Sequence, residues 1–423
     1  MSKILFKNAD IYNESGVRTG NDVLAVDGVI EEIGGNIECD GAEVIDCTGL
    51  AMLPGLCDMH VHFRDPGLTY KEDIITGCAS AAAGGVTAVA CMPNTKPVCD
   101  SPETVRYMIE KAKPTGVAIY PVGAITQGMS GEKLTDFDAL KAAGCRLISD
   151  DGKPVEDAAL LLETLKDTKD NGLLVASHCE DLNIINGGIM HKGSVSEELG
   201  VKGMDRASED CVTAREVALA ASCGARVHIC HVSTKGCINM IRAAKADGVR
   251  VTCETAPHYF TYTHEKLRSR DADYRMNPPL REQSDVDAVL EGVLDGTVDC
   301  IVTDHAPHAA EEKADFLTAP NGVVGLETSF AATLTRLYHT GRMSIEGIVK
   351  IMSAQPRRIL GIVPLEIKVG EKAEIILADL NREWVVDPQK LKSKAHNTVF
   401  KGERLKGKVV LTYADGRLIY REA

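Results

Sequence analysis

Several things are scarce in this 423-residue chain, and each scarcity excludes something. Aromatic residues make up 4%, with a single tryptophan, Trp384. No uninterrupted apolar run approaches the roughly 20 residues of a membrane-spanning helix. Met1-Ser2-Lys3 opens with no apolar signal segment. No CxxC pair occurs among the 14 cysteines. Cys91, Cys179, Cys230, Cys253 and Cys300 sit inside apolar runs and read as reduced, buried, small apolar residues of a cytoplasmic protein. No basic cluster is dense enough for nucleic acid, and the formal net charge of -14 has the wrong sign for it. An anionic substrate therefore needs a local positive site, such as a metal or a buried arginine. No GxGxxG opens a helix after the first strand, which weakens a doubly wound open sheet.

What remains is an ordinary globular composition, 44% apolar and 26% charged, with length for one large domain and a small accessory one. Residues 1–53 and 365–423 read as short strands and turns. Ile4-Leu5-Phe6 and Val23-Leu24-Ala25-Val26 are followed by the turn signal Asp27-Gly28. Near the other end, Glu374-Ile375-Ile376-Leu377, Lys408-Val409-Val410-Leu411 and Arg417-Leu418-Ile419-Tyr420 are β-like, with Asp415-Gly416 as a hairpin turn. Each end is small and helix-poor, so the two combine into one β module.

Residues 54–364 differ. Eight short apolar runs end near His62, Asn94, Thr126, Asp151, His178, His231, His258 and Asp304, with helical patterns between them. In one of these, Ser101 is an N-cap, Pro102 fits the first helical position, and Val105, Met108, Ile109 and Ala112 share a face. Ile345, Ile348, Val349 and Met352 repeat that spacing after Ser344. Apolar strands that each lead into a helix indicate a parallel sheet covered on its outer face. Eight units over roughly 250–310 residues fit a closed (β/α)₈ barrel; a doubly wound open sheet is the runner-up.

The chemistry gathers at the ends of these runs, where a barrel places its active site. His60 and His62 alternate with Val61 at the end of run one. On a strand, i and i+2 share a face, so both imidazoles converge on one point, an arrangement that suits a divalent metal. Paired histidines also occur on strand surfaces and in hydrogen-bonded cores, so the pair alone does not decide. Asn94, Asp151, His178, His231 and Asp304 end other runs, and packing does not explain so many polar endings on one rim. Four histidines and two or three carboxylates exceed the needs of one catalytic zinc. They suit two metals sharing a bridging carboxylate and a hydroxide, an arrangement for hydrolysing an unreactive C–N bond.

Ala51-Met52-Leu53-Pro54-Gly55-Leu56-Cys57-Asp58-Met59-His60-Val61-His62 resembles the opening signature of the amidohydrolase superfamily. The rest resembles the bacterial long-chain dihydroorotases over nearly the full length. The matching pieces are His60-Val61-His62-Phe63-Arg64-Asp65-Pro66-Gly67, Met92-Pro93-Asn94-Thr95, Ser149-Asp150-Asp151-Gly152, Ala176-Ser177-His178-Cys179-Glu180, Cys230-His231-Val232-Ser233-Thr234, Asn277-Pro278-Pro279-Leu280-Arg281 and Thr303-Asp304-His305-Ala306-Pro307-His308. Hydantoinase and dihydropyrimidinase relatives carry a carboxylated lysine on strand four. This family uses an aspartate, and no lysine stands there in this chain.

The resemblance implies a (β/α)₈ barrel with a terminal β-sandwich and two zinc ions per chain. It implies that His60 and His62 bind the first metal, that Asp151 bridges, and that His178 and His231 bind the second. Asp304 would bind the first metal and act as general base, then acid. His62, Arg64, Asn94, Asn277 and His308 would contact substrate, together with Asn321 and Gly322. Asn321 stands where the family usually has phenylalanine, so a contact there rests on the backbone. The implied reaction is reversible conversion of L-dihydroorotate and N-carbamoyl-L-aspartate in pyrimidine biosynthesis, in a cytoplasmic homodimer that can associate with aspartate transcarbamoylase. Two other readings compete: another cyclic amidohydrolase (allantoinase or hydantoinase), and a non-catalytic partner of aspartate transcarbamoylase. Such partners lose metal ligands, and every expected ligand is present here.

The remaining polar residues read as structural. Asp150 is a partner for its neighbours, His228 is packing, His305 and His258 are structural, and Trp384 is core of the β module. His191, His264, His339 and His396 show no partner pattern.

Overall fold

The computed structural model describes residues 2–422. From Leu56 onward eight parallel strands follow one another: Leu56–Val61, Val86–Cys91, Ala118–Pro121, Leu147–Ile148, Leu174–Ser177, Val227–Ile229, Val251–Thr255 and Cys300–Ile301. Strands one to three form one ladder and strands four to eight another. Single parallel bridges, Gly123–Ile148 and Val61–His305, join the two ladders and close the ring. The open-sheet alternative is thereby excluded.

Helices cover the outside. Ser101 caps the helix Pro102–Ala112 by accepting from the Thr104 amide, with Pro102 in the first turn. Val105, Met108 and Ala112 are buried in the shell between helices and barrel, and Ile109 packs at its edge. Full burial of a side chain such as Val105 or Met108 contributes roughly 1.5–3 kcal/mol. Asp73 caps Ile74–Ala83 with a full capping box through Thr76.

Both chain ends enter one eight-stranded sheet, ordered Arg417–Arg421, Arg404–Ala414, Ile375–Val385, Ala51–Pro54, Lys3–Asn13, Gly16–Val26, Val29–Gly34, with Glu43–Asp46 also paired to Lys3–Asn13. Alternation along the central strands explains how it sits. Met52, Ile375 and Leu377 point into the module's own core with Phe6, Ile11 and Tyr413. Leu53, Ile376 and Ala378, one residue out of phase, join the barrel's hydrophobic shell. A buried polar knot anchors the junction: Arg357 donates to Thr87 Oγ1 (2.8 Å) and Glu374 Oε2 (3.1 Å), and Thr87 donates to the same carboxylate at 2.6 Å. Among the described residues, no helix is long and apolar enough to cross a membrane.

Four details differ from the sequence reading. Lys3–Asn13 and Gly16–Val26 are 11-residue strands rather than short ones. Their pairing slips between Phe6 and Ala9, where Asn8 adopts φ 59°, and that bulge breaks the alternation a long strand would show. The third barrel strand ends at Pro121, before Thr126. Trp384 is only half-buried; its indole donates to Gly407 O at 2.9 Å and lies under the Lys408 ammonium. His191 and His264 do have partners. They are buried against each other, and Arg281 Nη1 lies 3.3 Å from His191 Nδ1.

Candidate functional site

The strand ends deliver His60, His62, Asp151, His178, His231 and Asp304 to one point at the top of the barrel, all buried. Asp151 Oδ1 lies 3.4 Å from His60 Nε2, 3.4 Å from His178 Nδ1 and 3.8 Å from His231 Nε2. Its Oδ2 lies 3.6 Å from His62 Nε2. Asp304 Oδ1 reaches His62 Nε2 at 3.1 Å and His60 Nε2 at 3.7 Å. Two ligand clusters result, His60–His62–Asp151 and Asp151–His178–His231, with the aspartate in both.

His60 Nε2 and Asp151 Oδ1 are buried without a hydrogen-bond partner although they face each other. Buried polar atoms are normally paired, so two such atoms left facing one another mark a place for a cation, a proton or a metal ion. The electrostatics agree. Burial pushes the His60 ring down, but Asp151 and Glu254 outweigh it and hold the ring well above its ordinary value. Burial pushes the Asp151 carboxyl up, and the His60, His178 and His231 rings bring it well below the usual range. A field that holds a proton this strongly also favours a divalent ion in its place.

A cavity of about 220 Å³ opens above this point, lined by His62, Arg64, Asn94, Asn277, His308, Asn321 and Gly322 beside the ligand residues. Every substrate contact expected from the sequence therefore faces one space. A left-handed turn, not strand alternation, aims Arg64: the strand ends at Val61 and Arg64 adopts φ 59°. His231 (φ 34°) and Asp304 (φ 48°) share that sparsely populated region, a cost of order 1–3 kcal/mol each that fold packing must offset. Arg64 Nε donates to Pro307 O at 3.3 Å. Neither Asp65 nor Glu72 pairs with it. Asp65 binds Lys111 at 2.7 Å, and Glu72 accepts from Ser393 and Thr76. Gly322, at φ +142°, has no room for a Cβ, which would stand 2.7 Å from Ala306 O. Asn94 Oδ1 meets His62 Nδ1 at 2.8 Å.

Several functional neighbours escaped the sequence reading. Glu254 meets His60 Nδ1 at 2.7 Å, and Glu180 accepts from Asn277 Nδ2 at 2.7 Å while facing His178 Nε2 at 3.2 Å. A lone carboxylate inside the apolar run Val251-Thr252-Cys253-Glu254-Thr255 was the available signal for the first. Lys313 donates to the carbonyls of Arg275, Pro320 and Gly322 and so holds the cavity-lining loop. His228, taken as packing, is instead hydrogen-bonded to Glu254 and Thr252. Asp150 does serve its neighbours, accepting from Ile125 N and Thr126 N. His305 is core, against Glu72 and Phe63.

A closed barrel with a terminal β module and a rim of histidines around a shared aspartate defines a metal-dependent amidohydrolase. The sequence model described as dihydro-orotase-like matches residues 49–237. Proteins named dihydroorotase from Citrifermentans bemidjiense and Acetivibrio thermocellus are 48% identical over 422 residues (99% of each chain) and 46% identical over 403 residues (95% of each). The chain belongs to the dihydroorotase family. In fold it is similar to the solved L-hydantoinase (dihydropyrimidinase) of Arthrobacter aurescens, with a TM-score of 0.88 at 24% identity, covering 100% of this chain and 97% of that one.

Proposed function

We propose that this chain interconverts L-dihydroorotate and N-carbamoyl-L-aspartate, a step of pyrimidine biosynthesis. The observation that carries this reading is the pair of aspartate-sharing ligand clusters opening into the same cavity as Arg64. A ring amide bearing a carboxylate needs both features. In this reading His60, His62 and Asp304 would hold one zinc ion and His178 and His231 a second, with Asp151 available to both. When bound, the metal pair supplies activation of water and polarisation of the ring carbonyl.

The remaining chemistry belongs to side chains. Burial raises the Asp304 carboxyl, but the His62 hydrogen bond and the His60, His62 and His231 rings hold it below its usual range, so it is ionised at neutral pH and can accept a proton. In hydrolysis the water oxygen bonds the ring carbonyl carbon and Asp304 takes the water's proton. The C–N bond then breaks, and Asp304 returns the proton to the departing nitrogen. Arg64 grips the substrate carboxylate with its planar fork. Asn94, Asn277, His308 and the backbone at Asn321 and Gly322 orient the ring.

Around this core we place residues 54–364 as the barrel and residues 1–53 with 365–423 as the β module, in a cytoplasmic homodimer open to association with aspartate transcarbamoylase. The test measures initial rates on dihydroorotate, dihydrouracil, hydantoin and allantoin alongside the metal content of the purified protein. Dihydroorotate should be preferred by about 10³ or more in kcat/KM, with two zinc ions per chain. A preference for any other ring overturns the substrate, and a metal-free protein with full activity overturns the mechanism.

A further inference from the structure

The interior of a (β/α)₈ barrel is normally filled by layers of apolar side chains. Here the floor beneath the ligand cluster is Met59, Cys230, Cys300, Ala90 and Ala176. Glu254, on the seventh strand and 1% exposed, stands in that layer, beside Cys230 and Cys300. Placing an ionised carboxylate there costs several kcal/mol unless it is well paired, and an apolar side chain would serve packing as well or better. Stability does not account for the residue.

Both of its oxygens are engaged. Oε1 lies 2.7 Å from His60 Nδ1, and Oε2 lies 3.1 Å from His228 Nε2. His228 Nδ1 in turn lies 2.8 Å from Thr252 Oγ1. The ionised carboxylate only accepts, so each ring nitrogen facing it carries the proton. That settles both tautomers. His228 donates through Nε2 and accepts the Thr252 hydroxyl on Nδ1. In the neutral form that a metal ligand must take, His60 donates through Nδ1, which leaves the lone pair of Nε2 turned toward Asp151 and Asp304. The next ligand along the strand lacks such backing. His62 Nδ1 meets only the neutral amide oxygen of Asn94. The two histidines of one strand are thus unequal donors.

We infer that Glu254 is a positioning residue for the metal held by His60, fixing that ring's orientation and strengthening its donor nitrogen, and that His228 holds Glu254 in place for this task. The inference rests on the metal reading above and assigns roles to two residues outside the ligand set. Removing the outer partner of a metal-bound histidine typically weakens metal binding about 10–100-fold.

The test uses metal-stripped parent, Glu254→Gln and His228→Leu proteins, each titrated with Zn2+ against a chromophoric chelator. In Glu254→Gln one of two ions should bind about 10–100-fold more weakly, with the other unchanged. His228→Leu should weaken the same ion by a smaller factor. The thermal midpoint of metal-free protein separates this from a purely structural role: a lowered midpoint with parental affinity for both ions overturns the inference. Parental affinities in both variants do the same while leaving the metal reading intact. A parent that binds no Zn2+ overturns both. Should Glu254→Gln fail to fold, His228→Leu decides alone by the same criterion.

Discussion

His308 donates its Nε2 proton to the backbone carbonyl of Asn321 at 2.9 Å, and the two residues together shape one wall of the cavity. Lys71 fixes the direction of that bond: its ammonium lies 3.3 Å from His308 Nδ1, which must therefore accept. Burial, followed by the nearby Arg64, Lys71 and Lys313 charges, pushes the His308 ring down to about 3. The imidazole is neutral throughout the working range, so in the proposed reading it meets substrate as a dipole, not as a cation. The KM for dihydroorotate should accordingly show no inflection from His308 between pH 5.5 and 8, and the profiles of parent and His308→Gln should run parallel. A rise in the parent's KM across pH 6–7 that disappears in His308→Gln would contradict this.

With His308 neutral, the charged grip in the proposed reading is the guanidinium of Arg64. Among the described residues Arg64 makes no salt bridge, so its charge is available to a ligand. Arg64→Met should lower kcat/KM for dihydroorotate by about 10³, with metal content unchanged. Dihydrouracil, which has no carboxylate, should be a poor substrate for the parent and lose little further in the variant. Equal losses on both rings would mean that Arg64 shapes the site without reading the carboxylate.

In the proposed mechanism Asp304 combines a ligand position with proton transfer. Asp304→Asn should lose about 10²–10⁴ in kcat, and more where the His62 contact at 3.1 Å no longer helps hold a metal. Rates and metal content should be measured on the same preparation. A fully metallated variant within tenfold of the parent would remove Asp304 from the proton path.

The convergence of His60, His62, Asp151, His178, His231 and Asp304 was legible because each lies at the end of an apolar run, a pattern that depends on local sequence alone. His60 and His62 even carried their own geometry, since strand alternation turns both rings to one side, 5.3 Å apart between centroids. The closing β module was legible from its turns, Asp27-Gly28 and Asp415-Gly416. Glu254 was not, because its role depends on the register that sets the sixth and seventh strands side by side, with His228 opposite Thr252, and on the ring closure that brings His60 of the first strand to it across the interior. Nor was the approach of Arg64, where a left-handed turn replaced the extended backbone that alternation assumes. His191 looked isolated for a related reason: Arg281, its partner, lies 90 residues away.

Glu327 shows how the junction between barrel and β module should respond to pH. Its Oε1 accepts from Ser80 Oγ at 3.0 Å, Lys392 N at 2.7 Å and Ser393 N at 3.3 Å. Burial nevertheless dominates and pushes its carboxyl from 4.5 up to about 6. The folded protein then binds the proton more tightly than the unfolded chain does. Its contribution is fully present below about pH 4.5 and is lost as pH rises through 6, a difference of about 2 kcal/mol. Glu327→Gln keeps an acceptor oxygen for the same donors and abolishes the ionisation. The variant should be more stable than the parent at pH 7.5 by up to about 2 kcal/mol, and the gap should close as pH falls to 4.5. Urea midpoints of the metal-free proteins across pH 4.5–8 measure this. A variant less stable than the parent at pH 7.5, or a gap that widens toward acid, would show that the charge on Glu327 stabilises the junction.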